Sequence, residues 1–170
     1  MASLSGYNEG RLHGAWIEAN QSEEDLTAAV AAMLEQSPAP VAEEWAIHDY
    51  EDFGPLRLGE FESLGVVARL AAGIAKHGRV FAAWADHVGI DAALPHEFGD
   101  RYLGQYDSGE VFAEEMLDET GVVEAVLEQL PEDLRPFVRI DHQAYFESLE
   151  AGGEIAAVEG PGGDVYVFRN

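Results

Sequence analysis

The sequence predicts an α+β protein built from short helices and short antiparallel strands. Three observations carry that expectation. Most apolar-periodic segments open on Ser or Asp and close on Gly or Pro, which is helix punctuation. The first third also holds two alternating apolar stretches, and the chain ends in two more around a Gly-rich turn. Between these, residues 63–104 carry helical patterning alone.

In order, Tyr7-Asn8-Glu9-Gly10 reads as a turn, and Leu12 to Glu18, with Trp16 and Ile17, as a strand. Ser22 with Asp25 three residues on is a capping-box pattern, in which the two side chains satisfy the free N–H groups of the first turn. Leu26, Val30, Met33 and Leu34 form the buried stripe of that helix, and Ser37-Pro38-Ala39-Pro40 ends it. Glu44 to Tyr50 alternates and predicts a second strand. Ser63 caps a helix through Val66, Val67, Leu70 and Ile74 that stops at Gly78. A helix over Val80 to Val88 stops at Gly89, and a short one follows Pro95. Asp107 with Glu110 repeats the capping-box pattern and opens a helix to about Asp118. Val122 to Leu130 forms another, ended by Pro131. Asp141 caps a helix through Tyr145, Phe146 and Leu149, stopped by Gly152-Gly153. Glu154 to Glu159 and Asp164 to Phe168 form a hairpin around Pro161-Gly162-Gly163. Soft boundaries near residues 62 and 104 give an α/β segment (1–62), a helical segment (63–104) and a second α/β segment (105–170).

The chain has 170 residues, 47% of them hydrophobic and 10% aromatic, enough apolar material for a folded core. No apolar run is long enough to span a membrane, and no signal-peptide pattern opens the sequence. The absence of cysteine excludes disulfides, thiolate metal sites and a cysteine nucleophile, and fits a cytoplasmic location.

Charge is the outlier. Asp plus Glu number 33 against 9 Lys plus Arg, a formal net charge of −24. Small domains usually carry a net charge of about 2 to 8 in magnitude, because a larger excess destabilises the compact state by self-repulsion. With no basic footprint, the protein is not expected to bind nucleic acid. Tyr102 to Leu134 contains ten acids and neither Lys nor Arg: Asp107, Glu110, Glu114, Glu115, Asp118, Glu119, Glu124, Glu128, Glu132 and Asp133. Glu110, Glu114 and Asp118 are four apart, as are Glu115 and Glu119, and Glu124, Glu128 and Glu132. On a helix this stacks like charges on one face, away from Phe112, Met116, Val123, Val126, Leu127 and Leu130. Each such pair costs about 0.2–0.5 kcal/mol. Rows advancing about 6 Å per four residues approach the spacing of phosphates, about 3.4 Å along one strand of duplex DNA. Twice 24 charges, as two copies would carry, equals the charge on about 80 Å of duplex. A charge run is most often a solvated face, and a halophile's surface would spread its acids similarly; the single lysine, Lys76, beside eight arginines in an Ala- and Gly-rich chain equally fits a GC-rich genome.

Sites for chemistry are sparse. His48 near Asp49 and Glu51 lacks a second nearby His, so no metal is expected. Calcium-loop spacing, Gly-rich phosphate loops and a nucleophile elbow are absent, and no cofactor is expected. Trp16, Trp45, Ile47 and Phe53 read as core residues.

Four segments resemble one family. Tyr7-Asn8-Glu9-Gly10-Arg11-Leu12-His13-Gly14-Ala15-Trp16-Ile17 is similar to the opening of the ArdA antirestriction proteins. The stretches from Glu43 to Phe53, Phe98 to Tyr106 and Gly162 to Phe168 are similar to later parts, in the same order. The family usually has a few more strand residues before the Tyr-Asn segment, where this sequence has Met1 to Gly6; that leaves a short first strand or a truncated start. The resemblance implies three small domains in an elongated row (α/β, helical, α/β) and a homodimer through the third. It further implies a non-catalytic, acidic mimic of duplex DNA that occupies the DNA-binding groove of type I restriction–modification enzymes and is carried on mobile elements. The candidate partner-binding carboxylates are then the ten acids above with Glu97 and Asp100, extended by Glu23, Glu24, Asp25, Glu43, Glu44, Glu51 and Asp52. Two alternatives stay open: an acidic decoy of another DNA-binding protein, and a carboxylate-dependent metal hydrolase.

Overall fold

The computed structural model describes residues 1–39 and 41–170, so Pro40, part of the predicted end of the first long helix, lies outside it. The fold is α+β, as the sequence predicts. The elements are β1 (Ala2–Ser3), α1 (Leu4–Asn8), α2 (Glu23–Glu35), β2 (Trp45–Ala46), α3 (Leu64–His77), α4 (Arg79–Val88) and α5 (Pro95–Arg101). There follow β3 (Tyr102–Tyr106), α6 (Gly109–Thr120), α7 (Val122–Glu128), a 3-10 turn at Arg135–Phe137, α8 (His142–Ala151), β4 (Ile155–Glu159) and β5 (Val165–Arg169). The chain divides into two compact units, Met1–Gly99 and Asp100–Asn170. No helix among the described residues is long and apolar enough to cross a membrane.

In the first unit the predicted caps form. Ser22 Oγ accepts from the Asp25 N–H at 3.1 Å and donates to the Asp25 carboxylate at 2.6 Å. Ser63 Oγ accepts from the Val66 N–H at 3.2 Å. Leu26, Val30 and Met33 bury the inner face of α2, which packs on α3, whose Val66, Val67 and Leu70 are buried as well. Gly78, at φ 70°, turns the chain from α3 into α4. The Phe81 ring lies so close to Gly73 that any Cβ there would overlap it. Phe81, Trp84, Phe98 and His77 form one aromatic cluster.

Both predicted strands of this unit are shorter than the alternation suggests. β2 keeps only Trp45–Ala46, paired antiparallel with β1. Its partner is only two residues long, because Ser3, still paired with Trp45, also caps α1 and the chain turns into that helix at Leu4. The next donor, Ile47 N–H, turns instead to the Glu60 carbonyl at 2.8 Å. Within Leu12 to Glu18 only Gly14 bridges, to Ala2, with Ser3 N–H to His13 O and Ala15 N–H to Met1 O beside it. The predicted turn at Tyr7 is the end of α1.

The second unit is a three-stranded antiparallel sheet, order β3-β5-β4, with α6 and α8 packed together on it. The β4–β5 hairpin holds Val167 opposite Ala157 on one side and Gly104 on the other. Phe112, Ala113, Phe146, Leu149, Ile155 and Val167 form its buried core. Asp141 caps α8 by accepting from the Ala144 N–H at 2.9 Å.

Candidate functional site

The acid-rich stretch begins at β3 and runs through α6 and α7. Ser108 caps α6, its hydroxyl accepting from the Val111 N–H at 3.3 Å; the predicted cap, Asp107, is one residue too early and stays free in solvent. Phe112 and Ala113 are buried and Met116 packs beside them, which fixes the inner face of α6. Glu110, Glu114 and Asp118, with Glu115 and Glu119 alongside, are all exposed. At 1.5 Å per residue, successive members of each row stand about 6 Å apart along the axis. Gly121, left-handed at φ 64°, ends α6, and α7 carries exposed Glu124 and Glu128.

The third predicted row is cut. α7 ends at Glu128, and Glu132 and Asp133 are exposed in the turn that follows. Pro131 has no N–H to continue the helical ladder. The chain instead closes tight turns, Leu130 N–H to Leu127 O and Leu134 N–H to Pro131 O. Asp100 is exposed at the start of the second unit; Glu97 is half-buried in α5 and belongs to the first. In short, α6 brings five of the twelve candidates onto one helix and α7 two more. Asp107 precedes α6, and Asp100, Glu132 and Asp133 lie outside both helices.

Cations do not cover this surface. Among the described residues, none of the twelve carboxylates lies within 4.0 Å of a Lys, Arg or His nitrogen; the contacts of that kind elsewhere are the ion pair Arg11–Glu9 and the approach of His48 Nε2 to Glu60. The second unit has four arginines, and three of them donate to backbone carbonyls. Arg135 reaches Glu128 O at 2.8 Å and Leu130 O at 3.0 Å, satisfying acceptors left free at the end of α7. Arg139 donates to Pro136 O and Val138 O, and Arg101 to Arg169 O. The unit therefore carries 17 acids against 4 arginines, a net −13 in 71 residues, and the first unit carries the remaining −11.

The carboxylates also act on a neighbour. Burial of the Tyr106 phenol, then the charges of Glu115 and Glu119, push its pKa above the usual tyrosine value. Those two acids thus share the side of α6 nearest Tyr106, whose ring packs edge-on against Phe112. Tyr102 is raised in the same direction, by burial first and then by Tyr166, Tyr106 and Asp164.

Of the first-unit acids, Glu23, Glu24, Asp25, Glu43, Glu44, Glu51 and Asp52 are all exposed. Asp52 holds a left-handed backbone, φ 65°, unusual outside glycine. No three His, Asp or Glu side chains among the described residues stand where they could hold a metal ion. Ile47 and Phe53 are core residues as predicted, and Trp45 is half-buried. Trp16 is not: its side chain is 67% exposed, because the stretch around it pairs with too little chain to be covered. Sequence reading also missed the exposed apolar run of Val122, Val126, Leu134 and Phe137, since periodic apolar residues signal a buried face whether or not a partner within the chain covers it.

Comparison with known families completes the picture. Residues 1–162 match the family described as antirestriction protein (ArdA). The chain belongs to the ArdA antirestriction family. No curated protein matches it individually. The ArdA match takes in the first unit, the second unit up to residue 162, and all twelve candidate carboxylates. Antirestriction is therefore the activity within which this ArdA chain's surface is to be understood.

Proposed function

We propose that this protein inhibits type I restriction–modification enzymes by occupying their DNA-binding groove, with rows of carboxylates standing in for phosphates. The observation that carries the reading is the set of exposed acids on α6 and α7, free of cation partners, in a unit whose arginines bond backbone carbonyls instead. A DNA groove is lined with Lys and Arg and draws much of its affinity from released counterions. A prefolded anionic surface satisfies the same cations and is steered toward them from a distance. No bond is made or broken, so the inhibition is stoichiometric.

The working form is a homodimer joined through the second unit. α7 buries no residue, and Val122 and Val126 lie along one side of it with Leu134, Phe137 and Ile140 exposed further on. By helical geometry Glu124 and Glu128 fall on the opposite side of α7, so covering the valines leaves them in solvent. The protein acts in the cytoplasm, where restriction enzymes meet entering DNA.

The test is a titration of the protein into a purified type I enzyme cleaving unmodified duplex. Inhibition should be immediate, and the half-inhibitory concentration should track the enzyme concentration. Time-dependent inactivation at far below one inhibitor per enzyme would mean catalysis and would overturn the reading.

A further inference from the structure

The first unit contains a groove of about 450 Å³ that the acidic rows do not use. Its floor is apolar, with Ile47, Phe53, Val67 and Ile74. Trp16 stands at its side, two-thirds exposed although it is among the largest apolar side chains in the unit. Four acids, Glu18, Asp49, Glu51 and Asp52, complete the lining. Two are oriented by local bonds: Glu18 Oε1 accepts from the Asn20 N–H at 3.1 Å, and Asp49 Oδ1 from the Tyr50 N–H at 2.9 Å. None of the four pairs with a Lys, Arg or His among the described residues. Among the described residues, the cationic group in the lining is the Met1 amine, which donates to Ala15 O at 3.1 Å and feels the charge of Asp49.

An apolar floor, an aromatic face and four carboxylates against a single amine are what a guanidinium on an aliphatic stem requires. The stem covers apolar surface while the head stays polar. The planar head stacks on an indole and forks onto a carboxylate, which an ammonium cannot do as well. The volume exceeds that of one side chain and accommodates a turn of backbone around it.

We propose that this groove is a docking site for an arginine-bearing loop of a protein partner, with Trp16 as the stacking face and Asp49 and Asp52 as the charge partners. It adds a localised anchor to an otherwise distributed contact. The partner's identity, a restriction enzyme, rests on the preceding reading; the groove's preference for arginine does not.

The probe is the capped peptide acetyl-Gly-Arg-Gly-amide, titrated into the full-length protein and followed through the Trp16 indole N–H and the amides of residues 47–53 by NMR. Saturable shifts confined to those groups are expected. The citrulline peptide, neutral but of the same shape, should show no saturation, and the lysine peptide should bind at least about threefold more weakly. W16A should weaken arginine-peptide binding about fivefold or more and W16F less, while D49N/D52N should abolish saturation. Trp16 is exposed, so its truncation leaves the core intact, checked by unchanged Trp84 signals. Shifts spread over the whole acidic surface, equal binding of citrulline, or spermidine saturating the same groups more tightly than the arginine peptide would each overturn the proposal. In restriction assays, W16A should raise the half-inhibitory concentration about fivefold. If the wild-type protein fails to inhibit any type I enzyme while the arginine peptide still saturates, the preceding reading falls and the groove stands.

Discussion

Neutralising the five acids of α6, Glu110→Gln, Glu114→Gln, Glu115→Gln, Asp118→Asn and Glu119→Gln, should make the protein more stable and a weaker inhibitor. The helix holds three like-charged pairs at i, i+4: Glu110–Glu114, Glu114–Asp118 and Glu115–Glu119. At about 0.2–0.5 kcal/mol each, their removal returns about 0.6–1.5 kcal/mol to α6. That raises amide protection in α6 about three- to twelvefold in low-salt hydrogen exchange, at about 1.4 kcal/mol per decade. The gain should shrink in 1 M salt, where the Debye length falls to about 3 Å. The charges of Glu115 and Glu119 also help to raise Tyr106, so its absorbance titration should move back toward the usual tyrosine value without reaching it, because burial is the larger cause. Binding moves the other way. Five exposed contacts at about 0.2–1 kcal/mol each sum to about 1–5 kcal/mol, an affinity loss of about fivefold at the least. Unchanged or reduced α6 protection, or inhibition that survives the five changes, would refute the idea that self-repulsion is retained for binding.

Other outcomes are equally specific. V126D with F137S should convert a dimer to a monomer in sedimentation while leaving the far-UV spectrum unchanged; a wild-type protein that sediments as a monomer would end the dimer reading. G109A should destabilise the second unit by about 1–3 kcal/mol in urea unfolding, because a Cβ there overlaps the buried Phe146 ring; a neutral substitution would contradict the packing of α6 on α8. His77 has its ring among Phe81 and Phe98 and its Nε2 buried without a hydrogen-bond partner, and burial, then Lys76, holds its pKa below the usual histidine value. Its contribution is therefore complete above about pH 6.5 and is lost as pH falls through the folded-state value. H77F should flatten the loss of first-unit stability just below pH 6.5, and an unaltered pH profile would contradict that assignment.

The helices were legible where a side chain closes the first turn and a glycine or proline ends the last. Ser22, Ser63 and Asp141 cap as their spacing predicts, and Gly78 and Gly89 stop α3 and α4. At α6 the same logic chose Asp107 over Ser108, since both are good caps and one residue separates them. Strands depend on a partner that sequence alternation cannot supply. The β4–β5 hairpin brings its own and was readable; β3 was not, because its residues are mostly half-buried and Gly104 sits beside a register shift. β2 ends early because β1 does. For the surface, charge and spacing could be read directly, while the break at Pro131 and the use of Arg135 on carbonyls required coordinates. Trp16 shows the opposite limit: an alternating apolar pattern predicts burial, and the shortness of its neighbour leaves it open.

The most direct measurement is displacement of a labelled duplex from a type I methyltransferase by the purified protein, repeated over a range of salt. Strictly competitive displacement is expected, with an apparent dissociation constant that rises in proportion to added duplex concentration and a direct affinity for the enzyme that falls steeply with salt, as DNA binding itself does. A ternary complex of enzyme, duplex and inhibitor, or an affinity indifferent to salt, would contradict it.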